Sequence, residues 1–286
     1  MSTNRPTLPH VDSRLEELSR ALAFIDHVDD GVASAVRDWR LGRALITPEL
    51  PRVWDANYFR VERSADGAER VAAEALAIAR EAELAYCAIV ITDDATAAGL
   101  GRSLRSAGFE EVRFAVMALR EPPRAPDIAI TNVSFDDVAP SRRQIALESF
   151  PGDEALADQL NELDRRLEAT IGGRWFGIRD GTEVVARAWL LGSGGVGQVE
   201  DVATSPGHRG RGLGRAVVSA AARASLEVGN ELTFVTTNDG ATTTELYRKV
   251  GFERVGFRWR FVRRLQRPGV SRTPRAGIHA PCRFSD

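Results

Sequence analysis

The sequence predicts an α/β protein made of two similar units in tandem, each a β-sheet flanked by helices. Segments with strand and helix periodicity alternate through residues 12–120 and again through residues 127–265. The residues between them, 121–126, include three prolines, which are typical of a linker. Each half ends on a Gly-Phe pair before a final strand, and the two pairs are 143 positions apart (252 minus 109).

The first half is expected to begin with an amphipathic helix at 14–26, because leucines and an isoleucine recur there at helical spacing. The elements that follow are strands at 43–47 and 53–62, a helix at 69–83, a strand at 86–92, a helix at 94–107 and a strand at 112–119. Gly108 is expected to end the helix at 94–107.

The second half is expected to open with a strand at 127–133, followed by helices at 138–148 and 154–170. A hairpin of strands at 175–179 and 183–191 comes next, because Asp180-Gly181 favours a tight turn. The remaining elements are a strand at 198–204, a helix at 213–228, a strand at 232–237, a helix at 242–250 and a final strand pair within 253–265. Residues 266–286 are expected to be a flexible tail, and residues 1–11 are expected to be loose.

The 143-residue offset relates the two halves strand by strand. It places the strand at 198–204 on residues 55–61, and the strand at 232–237 on residues 89–94, without a gap. We interpret the halves as a tandem duplication of one unit. A chance match between two unrelated α/β halves is the alternative.

The composition narrows the class of function. The 286 residues are 43% hydrophobic and 27% charged, with a formal net charge of -2, so neither nucleic acid nor a membrane is an expected partner. The two cysteines, Cys87 and Cys282, and the four histidines are scattered, which argues against a metal site or a disulfide framework. The N-terminus has no apolar signal segment, so a cytoplasmic location is expected.

The most informative segment runs from Val199 to Arg215. An apolar strand ends at Thr204, and a basic, glycine-rich loop then leads into an alanine-rich helix. Glycines let backbone amides approach a ligand closely, and a helix N-terminus attracts anions. The segment therefore indicates a phosphate-binding loop.

Two common phosphate loops do not fit this segment. Gly207 and Gly212 have the Walker spacing, but Leu213 stands where that motif needs lysine. The dinucleotide fingerprint fails because Val217 occupies the position of its third glycine.

The run Arg209-Gly-Arg-Gly212-Leu-Gly214 fits the pattern Arg/Gln-x-x-Gly-x-Gly instead, and there the sequence resembles the GNAT superfamily of acetyltransferases. The resemblance covers about residues 127–265. It includes the acidic strand before the loop (Glu200-Asp201), an Asn after the next strand (Asn238), Tyr247 in the following helix, and Gly251-Phe252.

The resemblance implies a mixed sheet and acetyl-CoA as co-substrate, with no metal. The pantetheine arm would pair with the strand at Val202, Ala203 and Thr204. The pyrophosphate would bind the loop and its arginines, which are Arg209, Gly210, Arg211, Gly212, Leu213, Gly214 and Arg215. Asn238 would bond the cofactor or a neighbouring loop.

The implied reaction is attack of a neutral primary amine on the thioester in a ternary complex. An alkylamine with a pKa near 10.4 is mostly protonated at neutral pH, so a base acting through water is needed. Glu200 is the expected base, and Asp201, on the opposite strand face, is the neighbour that would point away. Tyr247 is the expected proton donor to the thiolate, and a purely packed tyrosine is the alternative.

The first half lacks the residues of this site. The offset places Gly212 on Glu69, Gly214 on Val71, Arg209 on Asp66 and Tyr247 on Leu104. We therefore expect residues 12–120 to be a degenerate, non-catalytic GNAT-like domain, and residues 127–265 to bind acetyl-CoA.

Other functions remain open. A non-catalytic acyl-CoA-binding or regulatory module would keep the loop but not the chemistry, and a transferase for a longer acyl group would need a deeper pocket. The acceptor is expected to be the amine of a small molecule or a peptide. Its pocket is expected to be shaped by residues 151–170, by Trp175 and Phe176, and by the first domain. Asp153, Glu154 and Asp158 are acidic residues there that could attract a cationic amine.

Overall fold

The computed structural model describes residues 11–63 and 67–265. The segments 1–10 and 266–286, including the predicted tail, lie outside the described residues. The elements of the first half are α1 (Val11–Val32), β1 (Ala35–Trp39), β2 (Gly42–Ile46), a 3-10 turn (Trp54–Ala56), β3 (Tyr58–Val61), α2 (Ala68–Glu81), β4 (Tyr86–Ile91), α3 (Asp94–Ser106) and β5 (Glu110–Leu119).

The second half contains the elements that the duplication predicts and, in addition, two consecutive helices near its start. They are β6 (Thr131–Val133), α4 (Phe135–Ser149), α5 (Glu154–Ile171), β7 (Arg174–Asp180), β8 (Glu183–Ser193), β9 (Val196–Thr204), α6 (Leu213–Glu227), β10 (Leu232–Asn238), α7 (Thr242–Val250) and β11 (Phe252–Arg264). The order strand, helix, strand, helix, strand is thus common to β3–β5 and β9–β11.

All of these strands join one mixed sheet, in the order β1-β2-β3-β4-β11-β5-β10-β9-β8-β7-β6. The final strand of each half lies against the other half, because β5 pairs with β10 and β11 pairs with β4, both antiparallel. Strands β5 and β11 also pair with each other over most of their length. The two halves therefore exchange strands at the centre of the sheet. The predicted class, a mixed sheet flanked by helices, is confirmed.

Several predicted elements need correction. The expected strand at 53–62 begins with the 3-10 turn. Asn57, which follows the turn, donates to the carbonyl oxygens of Leu50 and Val53 and so holds the preceding loop. The expected strand pair at 253–265 is the single strand β11, which has an irregularity between Arg254 and Gly256. Strand β1, which is largely exposed, was not predicted because it lacks alternating apolar positions.

Helices cover both faces of the sheet. One face is covered by α2 and α3 over the first half and by α6 and α7 over the second. The other face is covered by α1, α4 and α5, with Phe24 of α1 packed edge-on against Phe234 of β10 at 5.9 Å. Helix α1 of the first half thus packs over the central strands of the second half.

Candidate cofactor and active site

The parallel strands β9 and β10 pair over only three residues. The last pair joins Phe234 to Gln198, after which the two strands separate. Beyond this point, β9 continues along β8 to Thr204, and β10 continues along β5 to Asn238. The separation opens the sheet at the carboxyl ends of two central strands, where α/β proteins commonly bind ligands. In the first half, β3 and β4 stay paired to their last residues, Val61 and Ile91.

The glycine-rich loop follows β9 at this opening. Gly210 and Gly212 have φ values of +75° and +77°, and Gly212 caps helix α6. Alternating left-handed residues turn successive amides toward one side, which makes an anion-binding concavity. Among the described residues, no backbone acceptor lies within hydrogen-bond distance of the amides of Gly210 and Arg211. The loop can therefore offer its amides to phosphate oxygens.

Gly214 has a different reason to be glycine. A Cβ there would lie 3.3 Å from Leu246 Cδ1 and 3.4 Å from Thr204 Oγ1. The first turn of α6 thus approaches both α7 and the end of β9 closely. This contact places the loop amides next to the strand opening.

The loop arginines keep their charges available. Arg209, Arg211 and Arg215 are exposed, and no carboxylate of the described chain lies within 4.0 Å of them. The Nε of Arg209 donates to the carbonyl oxygen of Thr204 at 3.1 Å, which holds it at the end of β9. Three positive charges at one helix N-terminus suit a ligand with several phosphates.

The segment predicted to hold the pantetheine arm has one free edge. Ala203 and Thr204 pair with Arg187 and Ala186 of β8, while their other edge faces the opening. Val202 and Thr204 are half-buried there. An extended ligand could hydrogen-bond this edge as an additional strand would.

A β-bulge reverses one expectation about this strand. Trp189 pairs with Glu200 and Arg187 with Ala203, so Asp201 and Val202 together face a single residue of β8. Asp201 has a φ of +45°, which a residue with a side chain adopts only when its surroundings hold it there. The prediction that Asp201 lies on the face opposite Glu200 is therefore wrong, because the extra residue brings both carboxylates to the side of α4 and α5.

Two arginines hold Asp201 in this position. Its Oδ2 lies 2.9 Å from Nε of Arg142 on α4 and 2.6 Å from Nε of Arg187 on β8. Arg142 also pairs with Asp164 and donates to Oδ1 of Asn161 at 2.9 Å, both on α5. Burial raises the pKa of Asp201, but the charges of Arg142 and Arg187 outweigh burial and hold that pKa below its ordinary value. Asp201 is thus a paired, ionised carboxylate and a weak base.

Glu200 lies two residues beyond the last pair of β9 with β10. It is only 3% exposed, and Nε2 of Gln198 donates to its Oε1. Because Gln198 and Glu200 are two residues apart on one strand, their side chains share a face. Across the opening, Thr236 lies two residues beyond Phe234, on the matching face of β10.

Tyr247 and Asn238 flank the same end of the sheet. Tyr247 on α7 is 6% exposed and packs edge-on against Phe252, with ring centres 6.1 Å apart. Asn238 is the last residue of β10, and its Oδ1 is buried with no hydrogen-bond partner among the described residues. A buried, unpartnered acceptor at this point fits a site built for a ligand with amide donors.

Sequence reasoning missed Arg142, Arg187 and Thr236. Arg142 lies on α4 and Arg187 on the buried strand β8, and only the fold brings them to Asp201. Thr236 belongs to a threonine pair at the end of an apolar strand, which is common in β-structure.

The first half places different groups at the corresponding positions. Glu69 lies in the first turn of α2, and Val71 is buried in the core under α2 and α3. Leu104, on α3, is fully buried, and Asp66 lies outside the described residues. No phosphate loop is formed by the described part of this segment.

Buried ionic groups also fill the face of β3 beneath α1. The hydroxyl of Tyr58 donates to Oδ2 of Asp29 at 2.8 Å and accepts from Nη2 of Arg258 at 3.0 Å. Arg260 pairs with Asp55 and lies 5.7 Å from the ring centre of Trp54. Because Arg258 and Arg260 belong to β11, the second half supplies the charges that neutralise acidic residues of the first.

Within the described residues, no helix is both long and apolar enough to cross a membrane. No group of three or more His, Cys, Asp and Glu in the same part of the chain is placed to hold a metal ion.

Comparison with known proteins agrees with this architecture. Residues 140–252 match the model of the acetyltransferase (GNAT) family. A search of curated proteins found no match.

Several solved structures are similar. A functionally unknown conserved protein from Staphylococcus epidermidis ATCC 12228 has a TM-score of 0.62 at 10% identity, covering 81% of this chain and 94% of that one. A GCN5-related N-acetyltransferase from Kribbella flavida has a TM-score of 0.58 at 20% identity, covering 86% and 93%. A tandem GNAT protein from the clavulanic acid biosynthesis pathway has a TM-score of 0.48 at 16% identity, covering 72% and 74%.

At these identities the first two structures show a shared fold, that of the GCN5-related N-acetyltransferases. Residues 140–252 thus match a family whose members use acetyl-CoA as co-substrate.

Proposed function

We propose that this protein transfers an acetyl group from acetyl-CoA to a primary amine by direct attack within a ternary complex. One observation carries the proposal. Strands β9 and β10 separate after Gln198 and Phe234, and the glycine-rich loop with its unpaired arginines begins at the end of the same opening. A phosphate site and an opening in the sheet at one end of a strand suit a long, phosphorylated thioester ligand.

We assign the binding of acetyl-CoA to the glycine-rich loop and to the free edge of β9. The amides and arginines of residues 209–215 would hold the phosphates, and Val202–Thr204 would hold the pantetheine arm. The buried Oδ1 of Asn238 would accept a hydrogen bond from the ligand. When bound, acetyl-CoA supplies an activated thioester carbonyl and a thiolate leaving group.

We assign the proton transfers to Glu200 and Tyr247. Glu200 takes a proton from the amine, directly or through water, as the nitrogen lone pair forms the N–C bond and the C–S bonding pair leaves with sulfur. Asp201 is the poorer base, because its two arginine partners stabilise its ionised form. Tyr247, at the same end of the sheet, is the group proposed to return a proton to the thiolate.

We further propose that residues 12–120 form a non-catalytic unit and that residues 127–265 bind one CoA per chain. The paired strands β3 and β4 and the buried Val71 support this assignment. Calorimetric titration with CoA should give a stoichiometry near one. Two equivalent sites per chain would contradict the assignment.

The test of the proposed function is thioester consumption with a panel of amines, which includes small molecules and short peptides with free N-termini. We expect amine-dependent release of CoA and an acetylated product by mass spectrometry. CoA binding without turnover on any amine would instead support a non-catalytic acyl-CoA-binding module. Faster turnover with succinyl-CoA than with acetyl-CoA would support a transferase of longer acyl groups.

A further inference from the structure

Thr236 differs from the other buried threonines of β10. Its side chain is 4% exposed, and its Oγ1 has no hydrogen-bond partner among the described residues. Thr233 and Thr237, on the other face of the strand, are each partnered. Thr233 donates to Oγ of Ser225 at 2.8 Å, and Thr237 shares a hydrogen bond of 2.7 Å with Thr243.

The side chain of Thr236 lies on the same face of the sheet as Glu200. Phe234 contacts Phe24 of α1, so the face of β10 that carries Phe234 and Thr236 is the face covered by α1. Glu200 lies on the same side of the sheet, and both residues are two positions past the last pair, Phe234 with Gln198. The carboxylate and the hydroxyl therefore flank the opening from its two strands.

A neutral primary amine needs two acceptors at the moment of attack. Its lone pair points at the thioester carbonyl, and its two N–H bonds point elsewhere. In a buried site, an N–H without an acceptor costs free energy. Oε1 of Glu200 already accepts from Gln198, so we assign the other carboxylate oxygen to the N–H whose proton Glu200 removes.

We propose that the hydroxyl of Thr236 accepts the second N–H of the acceptor amine and thereby makes the enzyme selective for primary amines. The proposal rests on the proposed acetyl transfer. During the step, the N–C bond forms, the C–S bond breaks, one proton passes from nitrogen to Glu200, and the N–H held by Thr236 stays on nitrogen. A secondary amine has only one N–H and leaves Thr236 without a partner.

A stability measurement separates this role from a structural one. A buried hydroxyl without a partner lowers stability, so Thr236→Val should leave the melting temperature unchanged or raise it. Thr233→Val is the matched control on the same strand. It removes a hydroxyl that is hydrogen-bonded to Ser225 on the opposite face of the sheet from Thr236, and it should lower the melting temperature with no change in kinetics.

The experiment measures steady-state kinetics and thermal melts of both variants, with the best primary amine of the panel and its N-methyl derivative. We expect Thr236→Val to lose at least tenfold in kcat/KM for the primary amine, with the KM for acetyl-CoA unchanged. Its preference for the primary over the N-methyl amine should shrink toward one.

Wild-type kinetics in Thr236→Val would overturn the role of Thr236 and leave the proposed acetyl transfer intact. A raised KM for acetyl-CoA alone would also overturn it, because the hydroxyl would then serve the cofactor. If the wild-type protein transfers acetyl to no amine at all, the proposed function itself fails, and the role of Thr236 fails with it.

Discussion

The phosphate loop can be tested with two glycines at opposite ends of one helix. Gly212 precedes α6 and Gly229 follows it, with φ values of +77° and +85°. At each position a Cβ would meet nothing within 4 Å. The variants Gly212→Ala and Gly229→Ala therefore impose the same backbone strain without a clash.

The expected stability loss is similar for both variants. Holding an L-residue in the left-handed region costs about 1–2 kcal/mol. For a chain of this size, that lowers the melting temperature by roughly 2–8 °C. If the pyrophosphate approaches the backbone at Gly212, the added methyl group occupies that space only in the first variant. Its affinity for CoA should fall by about tenfold or more, equivalent to 1.4 kcal/mol.

The assay is calorimetric titration of CoA beside a thermal melt for each variant. Gly229→Ala should bind CoA like the wild-type protein despite its lower melting temperature. If both variants bind CoA as tightly as the wild-type protein, the phosphates do not lie at Gly212. If both variants lose the same affinity, CoA affinity follows stability rather than the loop.

Three further predictions concern single side chains. Tyr247→Phe keeps the packing on Phe252, so the melting temperature and CoA affinity should barely change while turnover falls by roughly 10²–10⁴-fold; near-normal turnover would remove Tyr247 from the mechanism. Asp201→Asn keeps a residue that tolerates positive φ but leaves two arginines beside Glu200, which favours the ionised base. The acidic limb of the pH profile of kcat/KM should move to lower pH by on the order of one unit, and loss of all activity would instead make Asp201 the base. Burial raises the pKa of Asp26 to about 6 against the opposing charges of Arg258 and Arg60. The folded state therefore retains a proton that the unfolded chain releases near pH 4, and stability falls as pH rises from 4 to 6, by no more than about 3 kcal/mol. Asp26→Asn should flatten this part of a melting-temperature profile, and an unchanged slope would contradict the assignment.

Local sequence patterns predicted most helices and strands because the signals for these elements lie within a few residues of one another. The boundaries of α7 and the turn at Asp180-Gly181 follow from helical periodicity and from turn chemistry within a few residues. The glycine-rich loop is similar, since Gly210 and Gly212 adopt the left-handed conformations that glycine permits.

The features that could not be predicted depend on contacts distant in sequence. Alternation along β9 places Glu200 and Asp201 on opposite faces, and the bulge that overturns this is held by Arg142, 59 residues away. The 3-10 turn before β3 has a different origin. Asn57 holds it through side-chain hydrogen bonds to the loop at Thr47–Val53, and apolar periodicity carries no signal for such bonds.

Local sequence patterns likewise do not show that β5 and β11 lie at the centre of the sheet. A strand that pairs with its own unit and a strand that pairs with the neighbouring unit have the same apolar alternation. Only the register of β5 against β10 and of β11 against β4 reveals the exchange.

The exchange of β5 and β11 between the two halves determines what would follow from cleavage of the linker. A break between residues 121 and 126 would yield two fragments, each with a central strand seated in the other, so the fragments would remain associated through backbone pairing on both sides. If the halves are copies of one unit, as we propose, the arrangement corresponds to a domain-swapped homodimer whose two subunits are joined end to end. Covalent joining would then let the two copies diverge, with one copy keeping the opened strands and the other serving as its scaffold.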